Sequence, residues 1–239
     1  MGFLADVVRW FTTGAHWHGV NGIPHRFYEH VLMSGAAVVV AAAVALPLGI
    51  LLGHINRGGA LAINLANVGR AIPSFAILVL ATQLVGIGAR PAFFALIALA
   101  VPPMVTNSFV GVRDVDREVR ESARGMGMTG GQVLRRVELP MAVPLVLAGV
   151  RTAAVQVVAT AGLAALVAWG GLGRYIVDGL SQRDYVQVFA GAVLVAVLSI
   201  LTEVVLGGVQ RALVPPGLRS RVSDKNELFV GTAPATDKA

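Results

Sequence analysis

Glu121-Ser-Ala-Arg-Gly-Met-Gly-Met-Thr-Gly-Gly-Gln-Val-Leu-Arg-Arg-Val-Glu-Leu-Pro140 closes the one internal break in this chain that is both long and charged, 113–139. Asp116 can cap a short helix here, on which Val115, Val119, Ser122, Ala123 and Met126 share one narrow face of small and apolar residues. Gly125 and Gly127 interrupt that helix. Thr129 and Gln132 have capping-box spacing for a second one, with Val133, Leu134 and Val137 along one side. Pro140 suits the first turn of whatever helix follows. Two readings fit these residues: a solvated loop of amphipathic helices, and a helix pair that docks in a partner's groove.

The surroundings decide what kind of loop this is. Of 239 residues, 56% are hydrophobic and 13% charged, against roughly 25% charged in a soluble domain. Mean hydropathy is +0.74. About 20 mostly apolar residues cross a bilayer, and five segments qualify: 28–53, 60–85, 91–112, 142–168 and 186–210. The chain therefore divides into an N-terminal segment 1–27, a membrane domain 28–211 and a polar tail 212–239 expected to be disordered. Phe3, Leu4, Val7, Val8 and Phe11 recur at helical spacing and predict an amphipathic helix lying in the interface. Asp6 and Arg9 break any apolar core there, against a signal peptide.

With loop 113–139 inside, twelve Lys and Arg lie on the cytoplasmic side and five outside. That bias predicts a cytoplasmic loop and C-terminus and an outer N-terminus. It also accounts for the net charge of +6 without nucleic acid. Thiol chemistry and Cys-ligated metal are excluded by the lack of cysteine. No metal is assigned to His16, His18, His25 and His30, which read as interfacial. The Gly170-Gly171-Leu172-Gly173 turn lacks the Lys-Ser/Thr ending of a phosphate loop. The two lysines, Lys225 and Lys238, end no Gly-rich loop either. The chain therefore has no ATPase site or cofactor of its own, and no paired intramembrane carboxylates or hydrolase motif suggest an enzyme. A secondary transporter or channel is the remaining alternative, and it usually needs more spans or an inverted repeat.

Three ionisable residues fall within apolar segments: Arg70, Arg151 and Glu203. At about 1.5 Å per residue each lies roughly 10–15 Å inside the cytoplasmic boundary, where an isolated charge costs several kcal/mol. Glu203 is expected to pair with Arg151 or Arg70, unless the arginines snorkel to the interface. Pro102, Pro103, Thr106 and Asn107 in the third span, and Pro73 and Ser74 in the second, mark helix breaks. Such breaks are tolerated facing protein or a water-filled cavity, so Pro73, Ser74, Pro102 and Asn107 are pathway candidates.

Glu121-Ser122-Ala123, Gly127, and Val137-Glu138-Leu139-Pro140 keep the spacing of the "EAA" loop, and the chain resembles bacterial ABC importer permeases. Ser122 replaces the family's first Ala and Val137 its Ile. The segments IPSFAILVL, ARGMGMT, ELPMAVPLVLAGVRTAAV and GLAALVAWGGLGRYIVDGL are similar to the glycine betaine/carnitine/choline/proline branch, of the osmoprotectant ProW/ProZ type. The resemblance covers roughly 28–211. It implies an all-α, type I ABC importer permease fold in the bacterial inner (plasma) membrane. Glu121, Ser122, Ala123, Met126, Gly127, Leu139 and Pro140 would couple to a dimer of ABC ATPase subunits, which would hold ATP and Mg. A second permease copy or homologous permease and an extracytoplasmic substrate-binding protein are the other implied partners, with another small solute such as an amino acid as the alternative cargo. Quaternary ammonium recognition needs an aromatic cage. The three Trp and three Tyr are scattered along this chain, which places the high-affinity cage on another polypeptide.

Overall fold

The computed structural model describes residues 2–56, 63–64, 69 and 71–214, and all of its regular elements are helical. Arg70, most of 57–70 and the tail 215–239 lie outside the described residues. The order is α1 (Phe3–Thr12), α2 (Ile23–Ile55), α3 (Ser74–Val85), α4 (Ala89–Arg113), α5 (Arg117–Gly125), α6 (Gly130–Val133), α7 (Leu139–Thr160), α8 (Gly173–Gln182) and α9 (Tyr185–Leu213). Among the described residues, four stretches, based on α2, α4, α7 and α9, are long and apolar enough to cross a membrane.

Of the second expected span, 60–85, the described part shows the break that Pro73 marks. Its helix α3 is 12 residues long and begins only after Pro73, with Ile72 outside it. Proline donates no backbone N–H and pushes the residue before it out of the α region. An α3 of this length rises only about 18 Å. The fourth span also departs from one straight helix: α7 tightens at Ala161–Val167 into 3-10 turns, ending at Ala168 in the left-handed region.

A stripe of small residues on α2 organises the core. Ala37, Ala41, Ala45, Gly49 and Gly53 recur every four positions and all are buried. In a bilayer, where lipid is as apolar as leucine, helices associate through such close backbone packing. α4 lies in this groove so tightly that a Cβ at Gly53 would sit 2.8 Å from the Phe109 carbonyl oxygen and 2.8 Å from Val112 Cβ. α7 packs on the other side of α4, with Gly149 against Asn107; a Cβ there would meet Asn107 Cβ at 2.7 Å.

At the opposite end from loop 113–139, α1 docks its apolar face on the later helices. Phe3 meets Phe189 edge-on at 5.4 Å and buried Trp10 meets Tyr175 at 5.3 Å. His16 stacks on Trp10 at 4.1 Å, with Nδ1 2.8 Å from the Trp10 carbonyl. The Tyr175 hydroxyl donates to the Asn21 carbonyl, and burial pushes its phenol up to about 12, so it remains a donor at physiological pH. His30 is 1% exposed. Its Nε2 lies 2.9 Å from the Val158 carbonyl, and its Nδ1 accepts from Leu172 N–H at 3.3 Å. Beside it the Glu29 carboxylate accepts from Gly171 N–H at 2.8 Å. The turn through Gly170 and Gly171 is thus clamped onto the start of α2.

Candidate functional site

The loop between α4 and α7 is a compact piece of structure. The Asp116 carboxylate accepts from Glu118 N–H at 2.9 Å and starts α5. α5 ends in two reversed hydrogen bonds, Met128 N–H to the Ala123 carbonyl and Gly127 N–H to the Arg124 carbonyl. That pairing requires a left-handed residue at Gly127, and its φ is +82°. Thr129 and Gln132 form a complete capping box on α6. A π-helical turn, Leu134–Glu138, then leads into α7, with Pro140 in that helix's first turn. The wider turn points Arg135 and Arg136 outward and buries Glu138.

The loop residues divide into two sets. Val115, Ala123 and Val133 are buried, as is Val112 at the end of α4, which packs on Gly53 of α2. Ala123, at 2% exposed, offers no surface to a partner. Glu121, Ser122, Met126 and Gly127 are exposed, as is Pro140, while Leu139 is half-buried. Met126 is 73% exposed, and Glu121 accepts from Arg117 Nε at 2.6 Å one turn away. The loop thus presents a methionine beside a side-chain-free backbone turn, on a rigid, capped platform.

Beneath that platform lies an ionic cluster that motif reading alone missed. Glu138 is 0% exposed. Its Oε2 is 2.6 Å from His54 Nδ1, in the last turn of α2, and its Oε1 is 3.0 Å from Arg120 Nε on α5. The Arg120 contact is one of charge, with the Nε–H not aimed at the oxygen. Arg120 Nη2 donates instead to the Val112 carbonyl and, at 3.0 Å, to that of Arg113. Those carbonyls are the negative end of α4, where a cation is favoured.

Within the spans, the structure brings Arg151 and Glu203 together: Nε donates to Oε2 at 2.9 Å, with Nη2 on Oε1. Gln210 extends the network, accepting from Arg151 Nη1 at 3.1 Å and donating to the Pro144 carbonyl at 3.1 Å. Asn107 spends its amide on the Pro103 carbonyl one turn back, at 2.8 Å. Pro102 is buried, and Pro73 and Ser74 mark the start of α3. Trp10, Phe11, His16 and Tyr175 do converge, but their rings fill one another's faces as a packed seam. No group of three or more His, Asp or Glu suited to a metal occurs among the described residues.

The described residues form an all-helical membrane domain with a capped, exposed helix pair between two long apolar helices. Residues 45–215 match the family model of binding-protein-dependent transport system inner membrane components, and the chain belongs to that family of ABC importer permeases. It is 37% identical over 195 residues to the choline transport system permease protein OpuBB of Bacillus subtilis, covering 82% of this chain and 90% of that one. It is 38% identical to the carnitine transport permease protein OpuCB of Listeria monocytogenes, over 80% of this chain and 88% of the relative. The osmoprotectant import permease protein OsmW of Salmonella typhimurium is 33% identical, over 80% of this chain and 92% of its own. The fold matches a chain of the MetNI methionine ABC transporter in an inward-facing form, with a TM-score of 0.68 and 23% identity over 79% of this chain and 94% of the other. The protein is a helical membrane permease of type I ABC importer fold, a translocation subunit that works with ATPase and substrate-binding partners.

Proposed function

We propose that this permease imports osmoprotectants, small zwitterionic or quaternary ammonium solutes of the choline, glycine betaine, carnitine and proline kind. The substrate class rests on relatives 33–38% identical over about four fifths of the chain. The drive rests on one observation: the platform of α5 and α6 exposes Met126 and the bare turn at Gly127 where a partner's groove can receive them. Loop 113–140 docks there on an ATPase dimer, which holds ATP and Mg and hydrolyses it, while this chain has no nucleotide site. Docked α5 carries ATPase closure into the spans. Two copies, or this chain and a homologous permease, enclose the pathway about a two-fold axis. The loop and C-terminus are cytoplasmic and the N-terminus is outside, with the clamped turn 168–173 on the outer face.

Reconstituted complex with its ATPase and binding protein should take up labelled choline, glycine betaine, carnitine or proline only with ATP, and unlabelled members of the set should compete. Uptake of an amino acid such as methionine, with none of these four, would reject the substrate assignment. ATP-independent uptake by the permease alone would reject the drive.

A further inference from the structure

We infer that Glu138, with Arg120 and His54, is the positioning latch through which the coupling loop moves three spans at once; this rests on the coupling reading above. Four segments meet at one buried carboxylate. His54 stands in the last turn of α2, and Arg120 in the middle of α5. Glu138 itself leads directly into α7. The fourth segment enters through Arg120, whose other nitrogen holds the final carbonyls of α4. His54 also faces the second half of the loop, with Nε2 3.7 Å from where a Cβ on Gly130 would sit.

The chemistry suits transmission more than stability. The Glu138 side chain is 1% exposed, and those of Arg120 and His54 are 15% and 19% exposed. A buried carboxylate between two basic groups repays its desolvation only while both remain in place. Any displacement of α5 that would leave Glu138 behind separates opposite charges where water cannot replace the contact. Moving the ends of α2 and α7 together with α5 avoids that penalty. The outer pair Arg117–Glu121 has side chains 89% and 58% exposed, so water replaces its contact at little cost. It sets the shape of α5 but grips no span.

Glu138→Gln keeps the volume and a hydrogen-bonding group for His54 while removing the charge that grips Arg120. Arg120→Lys keeps the charge and removes the planar fork that reaches the α4 carbonyls. Both are read in the full complex in proteoliposomes, with labelled choline and glycine betaine as probes, by ATPase copurification, ATP turnover and solute moved per ATP. The expected result is retained copurification and ATP turnover, with solute moved per ATP down about tenfold, within the usual range of coupling between sites. Gly127→Trp, run alongside, blocks docking itself. If that variant transports normally, the coupling reading fails. If it is dead while Glu138→Gln and Arg120→Lys both transport at the parental ratio, the latch alone is overturned. Loss of copurification in both variants also overturns it, because the cluster would then serve only to build the docking platform. If one variant alone fails to assemble, the transport ratio of the other decides.

Discussion

Gly127 offers a clean separation of what the chain needs from what its partner needs. Its φ of +82° closes α5 through the paired Met128 and Gly127 hydrogen bonds, so a side chain here strains the backbone by about 1–2 kcal/mol. Yet no atom lies within 4 Å of where a Cβ would point. Inside this chain, then, alanine and tryptophan cost nearly the same, and asparagine less, because it enters the left-handed region most readily among the larger residues. A penalty of 1–2 kcal/mol shifts the formed turn by a factor of roughly 5 to 30, which weakens docking without removing it. Gly127→Asn should therefore retain most uptake and Gly127→Ala a reduced but measurable rate. Gly127→Trp should abolish uptake and copurification of the ATPase while the subunit stays folded in the membrane. The assay is ATP-dependent uptake of labelled choline by the reconstituted complex, with copurified ATPase measured on the same preparations. Equal uptake by the tryptophan and alanine variants would show that nothing closes over Gly127, and the docking assignment would fall.

Glu203→Gln should cost about 1.5–3 kcal/mol, the scale of a hydrogen bond to a charged group; reversible unfolding in mixed detergent micelles would reveal it, and an unchanged midpoint would make the Arg151 pair dispensable. Gly53→Leu should force α2 away from the Phe109 carbonyl and Val112, a clash of at least 1–3 kcal/mol seen as lost monodisperse protein in size-exclusion chromatography. Val39→Leu, on the exposed side of α2, should behave as the parent. For His30→Phe, the Val158 carbonyl and Leu172 N–H lose a buried partner, and faster amide exchange at 168–173 should follow, with no change at Met126 and Gly127.

How far the residues announced this arrangement depends on the range of the forces involved. Long runs nearly free of charge, such as 186–210 with Glu203 as its one ionisable residue, disclose a span because the bilayer demands them locally. The caps at Asp116 and Thr129 are equally local, and both form as their spacing implies. The α2 stripe of Ala37, Ala41, Ala45, Gly49 and Gly53 was open to the same periodic reading; an excess of Ala and Val around it hid the pattern. Pro73 is a local signal as well, and the helix does start afresh at Ser74 as the ring requires. The tightening at Ala161–Val167 has only Gly162 as a local marker, in a run of Ala and Leu that otherwise favours an α-helix.

Glu138 is the hardest case, and the reason is physical. In the motif it fills the free position between Val137 and Leu139-Pro140, where an exposed glutamate would serve as well. What makes it a hub is a partner 84 positions away on α2 and a π-helical turn that rotates it inward. Neither has a local signature, because burial of a charge is decided by where its partners arrive. Gly127 is the converse: a left-handed helix stop favours glycine on backbone grounds alone, so its presence in the motif does not by itself imply docking. The empty space beyond its absent Cβ makes the two roles separable by substitution, for a helix stop alone would tolerate a side chain pointing into solvent at modest cost, and a partner's groove would not.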